Sequence, residues 1–113
     1  MGKNGRHVQL FLGEHEREQA DCRTLHGEIC VRSVRSPDKT TANEDAAAII
    51  ELANGSLVLA VADGVGGTPA GREASNVAME TLSRVLCDLP ADTPQLRPAI
   101  LDALNAGLGY LSY

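Results

Sequence analysis

The chain contains 113 residues, of which 43% are hydrophobic and 3% aromatic, and its formal net charge at pH 7 is −5. This length allows one small domain with a modest core, which aliphatic side chains must fill because the chain has no tryptophan. The negative charge and the scarcity of aromatic rings argue against a nucleic-acid-binding surface, which needs cations for phosphates and rings for base stacking.

Residues 1–27 are rich in polar and charged side chains, and we predict that they form a loosely ordered leader. Residues 14–19 have a helix-forming composition, but no apolar stripe follows them. The apolar run at residues 7–13 is too short for a secretory signal, and no run in the chain is long enough to span a membrane. Together with an odd number of cysteines, three, these features predict a cytoplasmic protein that does not bind membranes.

Three strands are predicted after the leader. Alternating apolar and polar residues at 28–35 predict a half-buried strand, and we place the folded domain at residues 28–113. A loop at residues 36–42 leads to two apolar segments, 46–52 and 56–62, which predict buried strands. Asn54-Gly55 between them is typical of a tight turn, so these two strands are expected to form an antiparallel hairpin.

Acidic residues flank this hairpin at the end away from its turn. Asp63 and a glycine-rich turn at residues 64–67 follow its second strand, and Asn43-Glu44-Asp45 precedes its first. Because the start of one hairpin strand lies beside the end of the other, we expect Glu44 and Asp45 close to Asp63. Carboxylates and backbone carbonyls are the ligands that Mg²⁺ and Mn²⁺ prefer. Each residue alone has a simpler interpretation: Asp45 as a turn cap, Glu44 as a solvated side chain and Asp63 as a helix cap.

Two amphipathic helices are predicted in the last third of the chain. From about residue 70, apolar side chains recur at three- and four-residue spacing over four turns, until Leu89-Pro90 ends the pattern. This helix should lie on the sheet. Thr93 as N-cap and Pro94 at the first position predict a second helix. Its apolar stripe consists of Leu96, Ile100, Leu104 and Leu108.

The acidic motifs also carry a family resemblance. Asn43-Glu44-Asp45, residues 61–67 and residues 70–75 together resemble the N-terminal part of the metal-dependent protein phosphatases (the PPM family, protein phosphatase type 2C). The resemblance implies an α+β fold, the N-terminal half of an α-β-β-α sandwich with antiparallel strands and two helices packed on one face. It also implies two Mn²⁺ or Mg²⁺ ions, with Asp63 bridging them, Gly64 offering its carbonyl, and Glu44 and Asp45 beside them as further metal and catalytic residues.

Two departures from the family pattern bear on function. The family usually carries a phosphate-gripping arginine four residues before the glutamate, where this chain has Thr40, and the adjacent Lys39 is a weaker candidate for the substrate phosphate. The family's remaining metal aspartates lie in a C-terminal half, in an Asp-Gly and an Asp-Asn motif. Apart from Asp63-Gly64 itself, residues 1–113 contain neither pair. We therefore expect the N-terminal portion of a serine/threonine phosphatase that acts on phosphorylated proteins, inactive without that half. The alternative is a truncated or degenerate phosphatase-like chain that acts by binding.

Two other classes of function share part of this pattern. A strand, a glycine-rich turn and a helix also describe a dinucleotide site, but Pro69 stands where its third small residue belongs. Asp63 would moreover direct a negative charge at the pyrophosphate. A small structural domain with an acidic capped turn is the remaining interpretation.

Overall fold

The computed structural model describes residues 7–13, 17–35, 43–64, 69–90, 92 and 95–111. Within them it has five strands and two helices. In chain order these are β1 (His7–Phe11), β2 (Arg17–Thr24), β3 (Gly27–Val34), β4 (Ala46–Glu51), β5 (Leu57–Ala62), α1 (Pro69–Cys87) and α2 (Leu96–Leu111). None of the helices described is long and apolar enough to cross a membrane.

The strands form two antiparallel sheets. One has three strands in the order β1-β4-β5, and the other is the β2–β3 hairpin. Helix α1 packs on the three-stranded sheet, and α2 packs along α1. The fold is therefore α+β, with the helices on one face of the larger sheet, which confirms the fold class expected from the resemblance.

The β4–β5 hairpin has the predicted turn. The amide of Leu52 donates to the carbonyl of Ser56, and the amide of Gly55 donates to the carbonyl of Leu52, both at 2.9 Å. The backbone of Gly55 has φ 88°, a left-handed conformation that favours glycine. The Asn54 Oδ1 atom accepts a 2.8 Å bond from the amide of Ser56. Asn54-Gly55 therefore forms the predicted tight turn, and this turn fixes the register of β4 and β5.

The main core lies between β4 and the helices. Alternate β4 residues (Ala46, Ala48 and Ile50) face α1, because side chains of a strand point to opposite faces in turn. Helix α1 contributes three large side chains and α2 contributes Ala103. The core members on the helices are Met79, Leu82, Leu86 and Ala103, each no more than 3% exposed.

Helix α2 presents a slightly different face from the one its stripe predicts. Ala103 is 1% exposed and Leu96 and Ile100 pack against the core, whereas Leu104 is 39% exposed. The buried face of α2 therefore includes position 103 instead of position 104. The small Ala103 allows α2 to pack closely on α1, and Leu104 is left partly exposed to solvent.

The structure differs from the sequence expectation in the leader. Residues expected to be loosely ordered provide β1, which pairs with β4, and β2, which pairs with β3 along its whole length. Phe11 of β1 is buried. Residues 17–19 of the expected helical segment lie in β2. Backbone pairing with neighbouring strands outweighs the local composition here, because strand formation depends strongly on its partners. The division of the chain at residue 28 stays a prediction.

The face of the larger sheet opposite the helices is only partly covered. Phe11 and Ile49 are buried there, but Leu59 and Val61 of β5 are 59% and 80% exposed. An open cleft of about 530 Å³ separates β3 from the β4–β5 face. Leu59 and Val61 of β5 line this cleft together with residues of β3 and β4.

Candidate functional site

The hairpin register brings two of the predicted carboxylates together. Ala46 is the Cα partner of Ala62, and Asp45 and Asp63 are the next residues outward on the two segments. Opposite residues of an antiparallel pair have Cα atoms about 4.5–5.5 Å apart, so these two aspartates meet at one end of the sheet. Both side chains are exposed. By strand alternation Asp63 lies on the face that also carries Leu59 and Val61, away from the helices.

Glu44 has a different environment. Its side chain is only 4% exposed, whereas its neighbour Asp45 is exposed. Within the residues that the structure describes, no group of three or more histidine, cysteine, aspartate or glutamate side chains is gathered as a metal ion would need. The sequence therefore predicted correctly which chain segments meet, and the structure places Asp45 and Asp63 in solvent while Glu44 is buried.

Gly64 lies at the closest approach of three segments. A Cβ atom on Gly64 would lie 2.7 Å from the carbonyl oxygen of Glu44 and nearer still to the carbonyl oxygen of Gly71 in α1. Real side chains do not tolerate such contacts. Glycine at 64 is therefore required so that the end of β5 can pack between the start of β4 and the first turn of α1.

Ser75 connects the same segments by a hydrogen bond. Its side chain is buried, and its Oγ donates to the carbonyl of Glu44 at 2.5 Å and lies 3.0 Å from the carbonyl of Arg72. Residues 71, 75, 79 and 83 are all buried and follow each other at the four-residue spacing of one helix face. The first two are small. They allow α1 to approach the end of the sheet that carries Asp45 and Asp63, which is the acidic edge of the molecule. Sequence reasoning missed Ser75. The signal available was a small hydroxyl residue one turn after Gly71.

Asn43 fixes the start of β4. Its Oδ1 accepts a 3.1 Å bond from the amide of Asp45, and its Nδ2 donates to Ser33 Oγ at 2.7 Å. The side chain is 7% exposed. The first bond is a turn of the kind that asparagine favours, and the second ties the acidic segment to β3. Asn43 therefore orients Asp45 as well as preceding it in sequence.

The donor set matches a hard cation in type. Asp45 and Asp63 supply exposed carboxylate oxygens, and the backbone of Gly64 follows Asp63 directly. Oxygen ligands of this kind suit Mg²⁺ and Mn²⁺, and Mg²⁺ commonly binds through one or two carboxylates while water completes its shell. The residues fit part of the shell of one ion. Their role in binding metal, and that of Glu44, stays a prediction.

A comparison with protein-family models identifies the family. A model described as protein phosphatase 2C matches residues 36–110, about two thirds of the chain. The chain belongs to the protein phosphatase 2C family. The match covers β4, β5, α1 and most of α2, and it includes all three acidic positions. Searches of curated proteins and of solved structures found no significant match.

The remaining predicted site residue, Lys39, and Thr40 beside it lie outside the residues that the structure describes. Their part in binding a phosphate therefore stays a prediction. Residues 65–67 of the glycine-rich turn also lie outside them.

Cys30 is a possible nucleophile by residue type, because some phosphate-ester hydrolases use a thiolate. It lies on β3 opposite Asp21 and is exposed. A hydrogen bond to Asp21 raises the pKa of the Cys30 thiol. Slight desolvation and the charge of Asp21 raise this pKa further, and the charge of Arg32 opposes them only in part. A raised pKa lowers the thiolate fraction at neutral pH, so Cys30 lacks the activation that a catalytic cysteine needs.

Proposed function

We propose that this member of the protein phosphatase 2C family provides the N-terminal part of a serine/threonine phosphatase. Its substrates would be phosphoserine and phosphothreonine residues of phosphorylated proteins, and its cofactors would be two Mn²⁺ or Mg²⁺ ions. The observation that supports this proposal best is the register of the β4–β5 hairpin, which brings Asp45 and Asp63 to one exposed edge in a chain of this family. The family implies phosphatase chemistry, and the paired aspartates offer suitable ligands for it.

In this proposal the acidic edge holds the ions. Asp63, at the strand end, is the principal ligand, with the carbonyl of Gly64 and the carboxylate of Asp45 next to it. Glu44 is buried behind this edge, where its charge favours cations nearby. Bound divalent ions supply an activated water nucleophile and offset the charge that develops on the phosphoryl oxygens. In this proposal the nucleophile would be water rather than a side chain, in keeping with the unactivated Cys30 thiol.

The substrate phosphate would be contacted by Lys39. A lysine provides a point charge, whereas the arginine expected at position 40 provides a planar, bidentate fork. We therefore propose that phosphate binding is weaker in this chain than in relatives with the arginine. We also propose a cytoplasmic location, where phosphorylated proteins occur.

A second candidate function rests on the sparse donor set. Only two exposed carboxylates meet at the described acidic edge, which is few for two divalent ions. The second candidate is therefore a truncated or degenerate phosphatase-like chain that has no turnover and acts by binding. The two candidates differ in whether the edge binds a divalent ion at all.

Manganese titration of the ¹⁵N-labelled chain tests the proposal, because Mn²⁺ broadens the resonances of nearby amides. We expect broadening centred on residues 44–46 and 62–64 in the parent chain and much weaker broadening in Asp63→Asn. The matched control is Asp88→Asn, which removes an exposed aspartate just after α1 ends. With 19 residues, α1 is about 28 Å long, so Asp88 lies far from the acidic edge. Broadening that is absent from this edge, or equal in both variants, would reject the metal site.

A further inference from the structure

The position of the acidic edge depends on contacts that the edge makes with α1. Asp45 and Asp63 belong to separate chain segments, and only the outermost pair of the hairpin, Ala46 with Ala62, joins them on the sheet side. On the helix side, the carbonyl of Glu44 accepts the hydroxyl of Ser75, and Gly64 packs against both that carbonyl and Gly71. The same carbonyl therefore contacts both the helix and the end of β5.

We propose that Ser75 is a positioning residue for the metal site, acting through the carbonyl of Glu44. This inference rests on the proposed function only for its metal-binding consequence. The hydrogen bonds of the Ser75 hydroxyl go to the backbone carbonyls of Glu44 and Arg72. Its hydroxyl holds residue 44 at a fixed distance from α1, and so sets the position of Asp45, the next residue. Because Gly64 packs on the same carbonyl, the bond also sets how closely Asp63 and Gly64 approach Asp45.

Several observations favour a specific role over general helix packing. The Ser75 side chain is 3% exposed, so water does not compete for its hydrogen bond. The bond spans 31 positions in sequence and joins the first turns of α1 to the start of β4. A buried carbonyl that loses its donor without replacement is costly, which makes the arrangement strongly favoured once formed. Gly64 is already in close contact with the backbone of Glu44 and Gly71. The end of β5 and α1 therefore cannot move closer together to compensate for a lost hydrogen bond.

Helix α1 contains a natural control in Ser83. It is also buried, at 6% exposed, and lies two turns further along the same face. Its Oγ donates only within the helix, to the carbonyls of Met79 at 3.0 Å and Glu80 at 3.1 Å. Ser75→Ala and Ser83→Ala therefore remove the same group from the same helix, and only the first removes a bond to the acidic edge.

Amide hydrogen exchange without metal provides the first measurement. A general loss of stability raises the exchange of all globally protected amides by a common factor. For Ser75→Ala we expect the amide exchange rates of residues 43–47 and 61–64 to rise by a further factor of about two to ten. This factor corresponds to the loss of one hydrogen bond. For Ser83→Ala we expect no such local excess. Equal local exchange in the two variants would overturn the positioning role.

Manganese titration provides the second measurement. The Mn²⁺ concentration that half-broadens the amides of residues 62–64 should rise about two- to tenfold in Ser75→Ala and stay unchanged in Ser83→Ala. An equal requirement for Mn²⁺ in the parent chain and Ser75→Ala would overturn the proposal. If the parent chain binds no Mn²⁺ at this edge, the proposed metal site fails, and the exchange data still decide whether Ser75 positions the edge. If Ser75→Ala does not fold, Ser75→Cys takes its place in both measurements, because its thiol is somewhat larger than the hydroxyl and is a weaker hydrogen-bond donor.

Discussion

The local geometry restricts residue 64 tightly to glycine. Alanine at this position would place its methyl group against the carbonyl oxygens of Glu44 and Gly71, so the end of β5 would have to move away from α1. We expect Gly64→Ala to lower the free energy of unfolding by about 1–3 kcal/mol, the usual cost of overpacking. Urea unfolding measures this as a lower midpoint at an unchanged slope.

The matched control for Gly64→Ala is Gly55→Asn. Gly55 has a positive φ of 88°, and a Cβ atom there would meet nothing within 4 Å. Asparagine adopts the left-handed conformation more readily than other residues with a side chain, so we expect a smaller loss at position 55. A Gly64→Ala chain as stable as its parent would show that the β5 end and α1 are not in close contact.

At the residue scale, the sequence predicted the meeting of Asp45 with Asp63 because one strong local signal, Asn54-Gly55, determines the register of the hairpin. The burial of Glu44 was not predictable in the same way. Its exposure depends on how α1 packs against the start of β4, and no local pattern records that contact. The role of Ser75 was hidden for the same reason, since a small hydroxyl residue one turn after Gly71 does not identify a partner 31 residues away.

At the scale of elements, β5 is the least protected part of the larger sheet. It is an edge strand, and it exposes Leu59 and Val61 on the face opposite the helices. Unpaired edges with apolar faces favour association with other chains. We expect the chain to self-associate as its concentration rises, and sedimentation velocity over a concentration series measures this.

The variant Val61→Lys should shift the chain toward the monomer, because a charge on an exposed edge strand opposes pairing. Leu101→Lys is the matched control, since Leu101 is also a large apolar side chain, 55% exposed, but lies on α2. We expect Leu101→Lys to associate like the parent. A parent chain that is monodisperse and monomeric at all concentrations would contradict this prediction.

The elements also show where sequence patterns suffice. β4 and β5 are continuous apolar segments and α1 has a long periodic apolar face, so their types were predictable from hydrophobic spacing. The expected burial of β5 is wrong, because Leu59 and Val61 are exposed on the face that the helices do not cover. β2 has the sequence REQADCRT, in which polar residues dominate, and its strand conformation depends on pairing with β3. Such a strand is specified by its partner rather than by its own composition, which is why the first 27 residues were expected to be loosely ordered.

At the scale of the whole molecule, the family match and the donor set lead to different expectations about activity. Membership of the protein phosphatase 2C family favours metal-dependent ester hydrolysis. The described acidic edge, however, offers only Asp45, Asp63 and the backbone at Gly64 toward solvent. A divalent ion that is held by so few protein ligands keeps most of its water and binds weakly. The two-metal mechanism needs both ions in place at once.

We therefore predict that the 113-residue chain, assayed alone with Mn²⁺, shows little or no hydrolysis of a phosphothreonine peptide. Thr40, in place of an arginine, removes a further substrate contact. If a separate chain with the family's C-terminal Asp-Gly and Asp-Asn motifs is added, activity should appear, since those aspartates would complete the metal shells. In that mixture Asp63→Asn should abolish the activity and Asp88→Asn should retain it. Robust Mn²⁺-dependent turnover by the chain alone would show that its own residues, or those of a second copy, complete the site without that half.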